Sequence, residues 1–218
     1  MKQEKLHASE TFPVSAILSL SGGLQDAYTY NLRDQVFANA QTGNVVLMSQ
    51  HFMLREWRVG LHYLFPIIAF AAGILLAEQI GYHFKKSEKL HWRQIILLIE
   101  IVILGSVGFI PARYNTVANM LVSLACAMQV QAFRKVHGYA YASTMCIGNL
   151  RSGTESLSVY LRDRKKEALK KALCYYGIIF VFAIGAGLGG VLSGLVGLKT
   201  IWISVVLLGA AYIVMIER

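Results

Sequence analysis

The chain has 218 residues, 56% of them hydrophobic and only 15% charged, with a mean hydropathy of +0.50 and a formal net charge of +9. A soluble domain is usually about 45–50% apolar and about 25% charged; here the excess lies in continuous runs, which excludes a water-soluble globule and points to an all-α polytopic membrane protein. The basic excess sits at the ends of apolar runs (Lys85, Lys86, Lys89 and Arg93; Arg162, Arg164, Lys165, Lys166, Lys170 and Lys171), where it sets orientation against anionic headgroups, and no nucleic-acid motif accompanies it.

Residues 1–12 are short, polar and mildly basic. The apolar stretch that follows, 12–30, is broken by Gly22, Gly23, Gln25 and Asp26, so it reads as an uncleaved first helix and not as a signal-peptide core. A span needs about 20 mostly apolar residues. The next segment, 36–52, is too short and polar to span comfortably. Clear spans follow at 60–82, 94–111 and 116–133, the last ending at Arg134 and Lys135. Segment 139–161 is polar again, with Asn149, Arg151 and Glu155, and two more spans are expected at 172–196 and 200–216. No linker divides the chain, so one membrane domain is expected. Cys126, Cys146 and Cys174 lie in apolar segments, an odd set without CxxC spacing, and read as small packing residues with no metal or cofactor role.

The order of elements recurs: polar helix, Gly-Asn segment, basic loop, two apolar spans. Asn149 and Asn44, Gly148 and Gly43, and Ala132 and Ala27 share one offset, and Asp26 then falls opposite Gln131. Two halves, 12–111 and 116–216, are expected. If both Gly-Asn segments cross, eight spans result and the Lys/Arg tally is about 12 inside to 8 outside. If both dip in and return, six spans remain and the tally is about 15 to 5, a better fit to the positive-inside rule. Six full spans with two broken or re-entrant segments make the halves an inverted repeat; eight would make them parallel. The N-terminus is expected in the cytoplasm and the protein in the bacterial inner membrane.

Several polar residues stand where hydrocarbon is expected. Thr42-Gly43-Asn44 and Ile147-Gly148-Asn149 are candidate helix breaks, because a broken helix at membrane depth survives only when buried in protein or lining a wet cavity. The competing reading is that the asparagines only join helices by hydrogen bonds. Asp26 is a carboxylate inside a span, costing about 2.5–3.5 kcal/mol on insertion scales, and either binds a cation, carries a proton or pairs with Arg151. Arg151 and Glu155 are spaced to form a helix pair, or Arg151 attracts an anionic solute. Glu100, well inside its span, is a second proton-relay candidate. The glycines include Gly185-xxx-Gly189 and Gly190-xxx-Gly194, spacings that let helices approach.

HExxH, GxSxG and P-loop signatures are absent, so no enzyme is expected. The leading expectation is a small-solute transporter or channel whose site gathers Gln25, Asp26, Asn39, Thr42, Gly43 and Asn44 with Gln131, Gly148, Asn149 and Arg151. The alternatives are a membrane scaffold and, behind it, a membrane-embedded enzyme. The expected partners are the lipid bilayer and an unidentified small solute, with no nucleic acid, and a homo-oligomer is left open. The stretches GGLQDAYTY, VFANAQTGNVV, MQVQAFRKVHG and IGNLRSGTE make the chain resemble the bacterial YoaK/DUF1275 family. The resemblance implies a small integral membrane protein without an assigned activity. Ile147, where a threonine is expected before Gly-Asn, departs from the pattern.

Overall fold

A computed structural model describes residues 8–84 and 91–216; Lys2, Lys5, Lys85, Lys86, Lys89 and Arg218 lie outside them. The described chain is all-α apart from one small hairpin: α1 Phe12–Leu32, α2 Gln41–Met53, α3 Trp57–Phe84, α4 Trp92–Val107, α5 Asn115–Ala132, β1 Lys135–Val136, β2 Tyr139–Ala140, α6 Cys146–Asp163, α7 Lys166–Val196 and α8 Ile201–Ile216. Two helical stretches, Trp57–Phe84 and Lys166–Ile216, are long and apolar enough to cross a membrane. Large apolar side chains point outward along the long helices, among them Leu75, Val102, Phe180, Val191 and Val206. Serines, asparagines and carboxyls lie inside. That inside-out distribution suits a molecule solvated by hydrocarbon.

Helix directions follow from contacts at the two ends of the bundle. At the near face, where α1 begins, Arg93 at the start of α4 donates to the Ala132 carbonyl at the end of α5 (2.9 Å) and to Ser9 and Glu10 ahead of α1 (2.5 and 3.2 Å). At the far face Arg33, the residue after α1, is fully buried. It donates to Tyr28 Oη (2.9 Å), Asn115 Oδ1 at the start of α5 (2.9 Å), and the Val107 and Ile110 carbonyls at the end of α4 (3.1 and 2.9 Å). Asn115 passes the contact on to Asp34 (2.8 Å). The carbonyl end of α4 is the negative end of its dipole, which suits a guanidinium. His62 at the start of α3 meets Thr116 (3.0 Å), and Trp202 at the start of α8 donates to the Gly105 carbonyl (3.0 Å), both also at the far face. So α1, α4 and α7 run from near to far, and α3, α5 and α8 run back.

The shared apolar core comes from α1, α4, α5 and α8 (Leu18, Leu104, Val122, Leu208). α7 lies along α1 and carries α6; α3 lies along α5 and carries α2. The main packing is kept when α1–α4 are exchanged with α5–α8 in order: α1 with α7 matches α5 with α3, and α1 with α8 matches α5 with α4; the α3–α4 contact has no equal between α7 and α8. The parallel pairs touch closely through glycines. A Cβ at Gly23 would fall on the Phe182 carbonyl, one at Gly185 on the Leu20 carbonyl and one at Gly73 on the Leu124 carbonyl. Of the two spacings noted in the sequence, Gly185 and Gly189 both press on α1, whereas Gly194 faces open space.

This separates the glycines by test. Gly185→Ala is expected to cost about 1–3 kcal/mol through overpacking, read as a lower thermal midpoint in detergent. Gly187, open on all sides, is expected to accept alanine with unchanged or slightly raised stability. Equal effects at both positions would contradict the close approach.

Candidate functional site

α2 and α6 do not begin at a bundle end. After Arg33 the chain turns through Asp34 and Gln35, both at positive φ, and runs back beside α1 without helical structure until Gln41. The Asn39 N–H donates to Asp26 Oδ1 (2.7 Å) and its side-chain amide to the Gly22 carbonyl (3.2 Å). Gly22 and Asp26 lie midway along α1, so α2 starts in the middle of the bundle and returns to the far face, where Phe52 packs on Gly60 and His51 meets Glu56 (2.5 Å). α6 does the reverse. Ser143 accepts from Gln129 (2.8 Å), Thr144 lies against Gly22, and the helix runs out to Asp163 at the near face, where α7 begins. The chain is non-helical up to residue 40 and, after the hairpin, up to residue 145, but Thr42-Gly43-Asn44 and Ile147-Gly148-Asn149, expected as helix breaks, lie inside the first turns of α2 and α6.

Each asparagine of the Gly-Asn pairs closes the extended chain ahead of it in the same manner. Asn44 Oδ1 accepts the Phe37 N–H (3.1 Å) and its Nδ2 donates to the Phe37 carbonyl (2.7 Å) and to Gln41 Oε1 (2.9 Å). Asn149 Oδ1 accepts the Ala142 N–H (3.4 Å) and its Nδ2 donates to the Ala142 carbonyl (2.7 Å). Each carboxamide grips both backbone groups of the residue seven positions earlier, as a neighbouring strand would. Both ends of each amide are thereby occupied by protein.

The structure brings together only part of the set expected from the sequence. Gln25, Asp26 and Asn39 meet. Cys126 joins them, its thiol donating to Gln25 Oε1 (2.7 Å), while Gln25 Nε2 donates to Ser21 (2.9 Å). The Ala38 and Ala40 amides also lie beside the Asp26 carboxylate. Glu100, buried at the middle of α4 with Oε1 unpartnered, lies near enough to Cys126 to interact with it electrostatically. Thr42, Gly148 and Arg151 are exposed on the outer faces of α2 and α6, and Gly43 packs against Phe37. Among the described residues Asp26 has no ion pair with Arg151, and Arg151 has none with Glu155, which corrects both pairings considered from sequence.

Gln131 is a second correction. It does not stand opposite Asp26 but binds Glu78 near the end of α3. The connection from α5 to α6 is five residues longer than that from α1 to α2, because it holds the hairpin, so one offset cannot serve both helix and Gly-Asn segment. Counted from the helix ends Leu32 and Ala132, the residue matching Asp26 is Cys126, six positions back in each. Two groups were missed altogether. Arg33 and Arg93 entered only the charge tally, although an arginine directly following a polar helix is a signal for a capped, buried helix end.

Between the near face and Asp26 several buried polar atoms have no protein partner, Ser19 Oγ, Thr144 Oγ1 and Asn39 Oδ1, while the Ser15 and Tyr141 hydroxyls lie beside one another. Ser15, Ser19, Gly22 and Asp26 share one side of α1 at helical spacing. Buried hydroxyls ordinarily find a partner, so this stripe is suited to water or a small polar solute.

The asparagine clamps yield a stability test. Asn44→Ala and Asn149→Ala each strand a buried N–H and C=O and are expected to cost about 2–4 kcal/mol. Hydrogen exchange should rise at Phe37 in the first variant and at Ala142 in the second. Thr42→Ala and Arg151→Ala, on the outer faces, are expected to leave both readouts unchanged.

No solved structure matches the chain. A curated relative, described as "UPF0700 transmembrane protein YoaK", from Bacillus subtilis (strain 168), is 24% identical over 184 residues, covering 78% of this chain and 79% of the relative. The family model described as "Protein of unknown function (DUF1275)" matches residues 14–214, nearly the whole length. The chain therefore belongs to the DUF1275 family of membrane proteins.

Proposed function

We propose that this protein is a small-solute transporter or channel of the bacterial plasma membrane, with six full crossings, two re-entrant half-helices and an inverted duplication of halves 12–111 and 116–216. The observation that carries the reading is the convergence of the starts of α2 and α6 on the middle of α1, beside a buried carboxyl. Half-helix starts at mid-depth present free N–H groups and the positive ends of their dipoles to whatever occupies the centre. The opposite directions of α1 and α5, and the main packing kept on exchange of the two sets of helices, support the inverted duplication. The basic hairpin and the α6–α7 connection lie at the near face, while Arg33, Arg55, Arg58, Arg113 and Lys199 lie toward the far one; the near face is then cytoplasmic.

Asp26 is the coupling residue in this reading. Its carboxylate holds the tip of α2 through the Asn39 amide (2.7 Å). Negative charge at Asp26 is attracted to the positive end of α2. A proton or cation arriving there weakens the attraction and loosens residues 33–40. Occupancy of the carboxyl and the position of the half-helix tip are thereby linked, and the buried hydroxyl stripe supplies access from the near face.

A membrane scaffold is the second reading, favoured by the full occupation of Asn44 and Asn149 by protein groups. It calls for a co-purifying partner and no solute dependence.

In liposomes holding a pH-sensitive dye, with small polar solutes supplied in turn, the protein is expected to give solute-dependent proton movement. Asp26→Asn, whose amide oxygen still accepts from Asn39, should abolish that movement without lowering the thermal midpoint. Proton and solute movement both unaffected by the substitution would remove Asp26 from the mechanism. Orientation is checked separately with single cysteines in a background lacking the native three: Trp57→Cys is expected to be labelled from the periplasmic side and Asp163→Cys only from the cytoplasmic side. Labelling of both from one side would end the inverted arrangement.

A further inference from the structure

A second site lies away from the centre, at the near face. Phe12 at the start of α1, His137 and Tyr139 of the hairpin, and Lys170, Leu173 and Cys174 of α7 enclose a cavity of about 500 Å3. That is within the usual size of a ligand pocket, about 300–1,000 Å3. Its lining is mostly apolar, with Phe12 also packed against Gly177, and His137 and Lys170 supply basic side chains. The hairpin is firmly placed. The His137 N–H donates to the Glu10 carbonyl (2.8 Å), Tyr175 Oη donates to the Ala140 carbonyl (2.7 Å), and Tyr139 lies against Tyr175 with ring centroids 6.5 Å apart. Lys171 Nζ sits 5.4 Å from the centre of the Tyr139 ring.

The charge nearby is mostly basic. Lys170 lines the cavity and Lys171 lies against Tyr139, with Arg134, Lys135, Lys165 and Lys166 close to them in sequence; Glu167 pairs with Lys170 (3.1 Å) and Asp163 with Lys165 (3.3 Å). The depth is that of a headgroup, since Phe12 opens the apolar run of α1 while the charged first turns of α7 lie just outside it. A free anion would use the basic side chains and leave the apolar lining bare, and a neutral lipid would cover the apolar lining and leave the cations unmatched. An amphiphile with an anionic head satisfies both.

We propose that this cavity is a binding site for one anionic phospholipid, its phosphate at His137 and Lys170 and an acyl chain against Phe12, Leu173 and Cys174. The site stands independently of transport, and the free thiol of Cys174 inside it gives a direct reporter.

The test uses the full chain with Cys126→Ser and Cys146→Ser, placed in phosphatidylcholine nanodiscs with or without phosphatidylglycerol. Phosphatidylglycerol is expected to slow maleimide alkylation of Cys174 and to raise the thermal midpoint. Lys170→Gln should weaken the protection about fivefold, the worth of one basic residue at an anionic surface, and His137→Gln should weaken it by less. Native mass spectrometry should show retained phosphatidylglycerol on the parent protein and its loss from the double variant, which keeps the test decisive if Cys174 reacts slowly throughout. Equal alkylation and equal retention in both lipids would overturn the proposal. Protection by inorganic phosphate in pure phosphatidylcholine would overturn it too, marking a soluble-anion site.

Discussion

Peptide groups removed from water must find partners inside the protein, and this chain places two non-helical segments deep within its bundle. Asn44 and Asn149 answer that demand, each giving one donor and one acceptor to a single residue of the extended chain ahead of it. Because those groups are satisfied, α2 and α6 can start at mid-depth, and because they start there, a helix tip can reach Asp26. Asn39, Gly22 and Thr144 fill the junction. Gly22 is small for a clear reason: a side chain there would displace Thr144 from the entrance to α6.

The ends of the bundle are tied by two arginines with a shared manner of working. Arg33 gathers the ends of α1 and α4 and the start of α5; Arg93 gathers the start of α4, the end of α5 and the segment before α1. Arg33 has no carboxylate partner within hydrogen-bonding distance among the described residues and is held by neutral oxygens, with Asp34 reached through Asn115. α1, α4, α5 and α8 share the apolar core, and α3 with α2 and α7 with α6 flank it, held to α5 and α1 by the close glycine contacts.

Much of this architecture was legible in the sequence, and its failures have identifiable causes. Apolar run length located the long helices closely, because hydrocarbon solvation imposes a length on them. The charge tally favoured re-entrant segments, and the described chain lacks helix at 33–40 and 133–145. What could not be read was register. The offset taken from Asn44 and Asn149 was carried into the preceding helices, where the hairpin insertion had already changed it, so Gln131 was chosen in place of Cys126. Nor could sequence say which polar residues turn inward: Thr42 and Arg151 each lie two positions from a buried asparagine yet face out, because α2 and α6 each cover a neighbour with one side only. Ile147, which departs from the family pattern, is also exposed, so that departure leaves the clamp at Asn149 intact.

The parallel pairs α1 with α7 and α3 with α5 each join one half of the chain to the other. During synthesis, then, α1 enters the membrane with its Gly23 face and polar stripe uncovered, and its close neighbour is made only after α6 has followed. Neither half can reach its final packing alone. The order of emergence from the ribosome thus imposes a waiting state on the first half, one in which Leu20 and Gly23 lie open to lipid or to an insertion factor. Splitting the chain between α4 and α5 yields two fragments that complete each other only by interleaving, and truncation anywhere before α7 leaves the first helix without its partner.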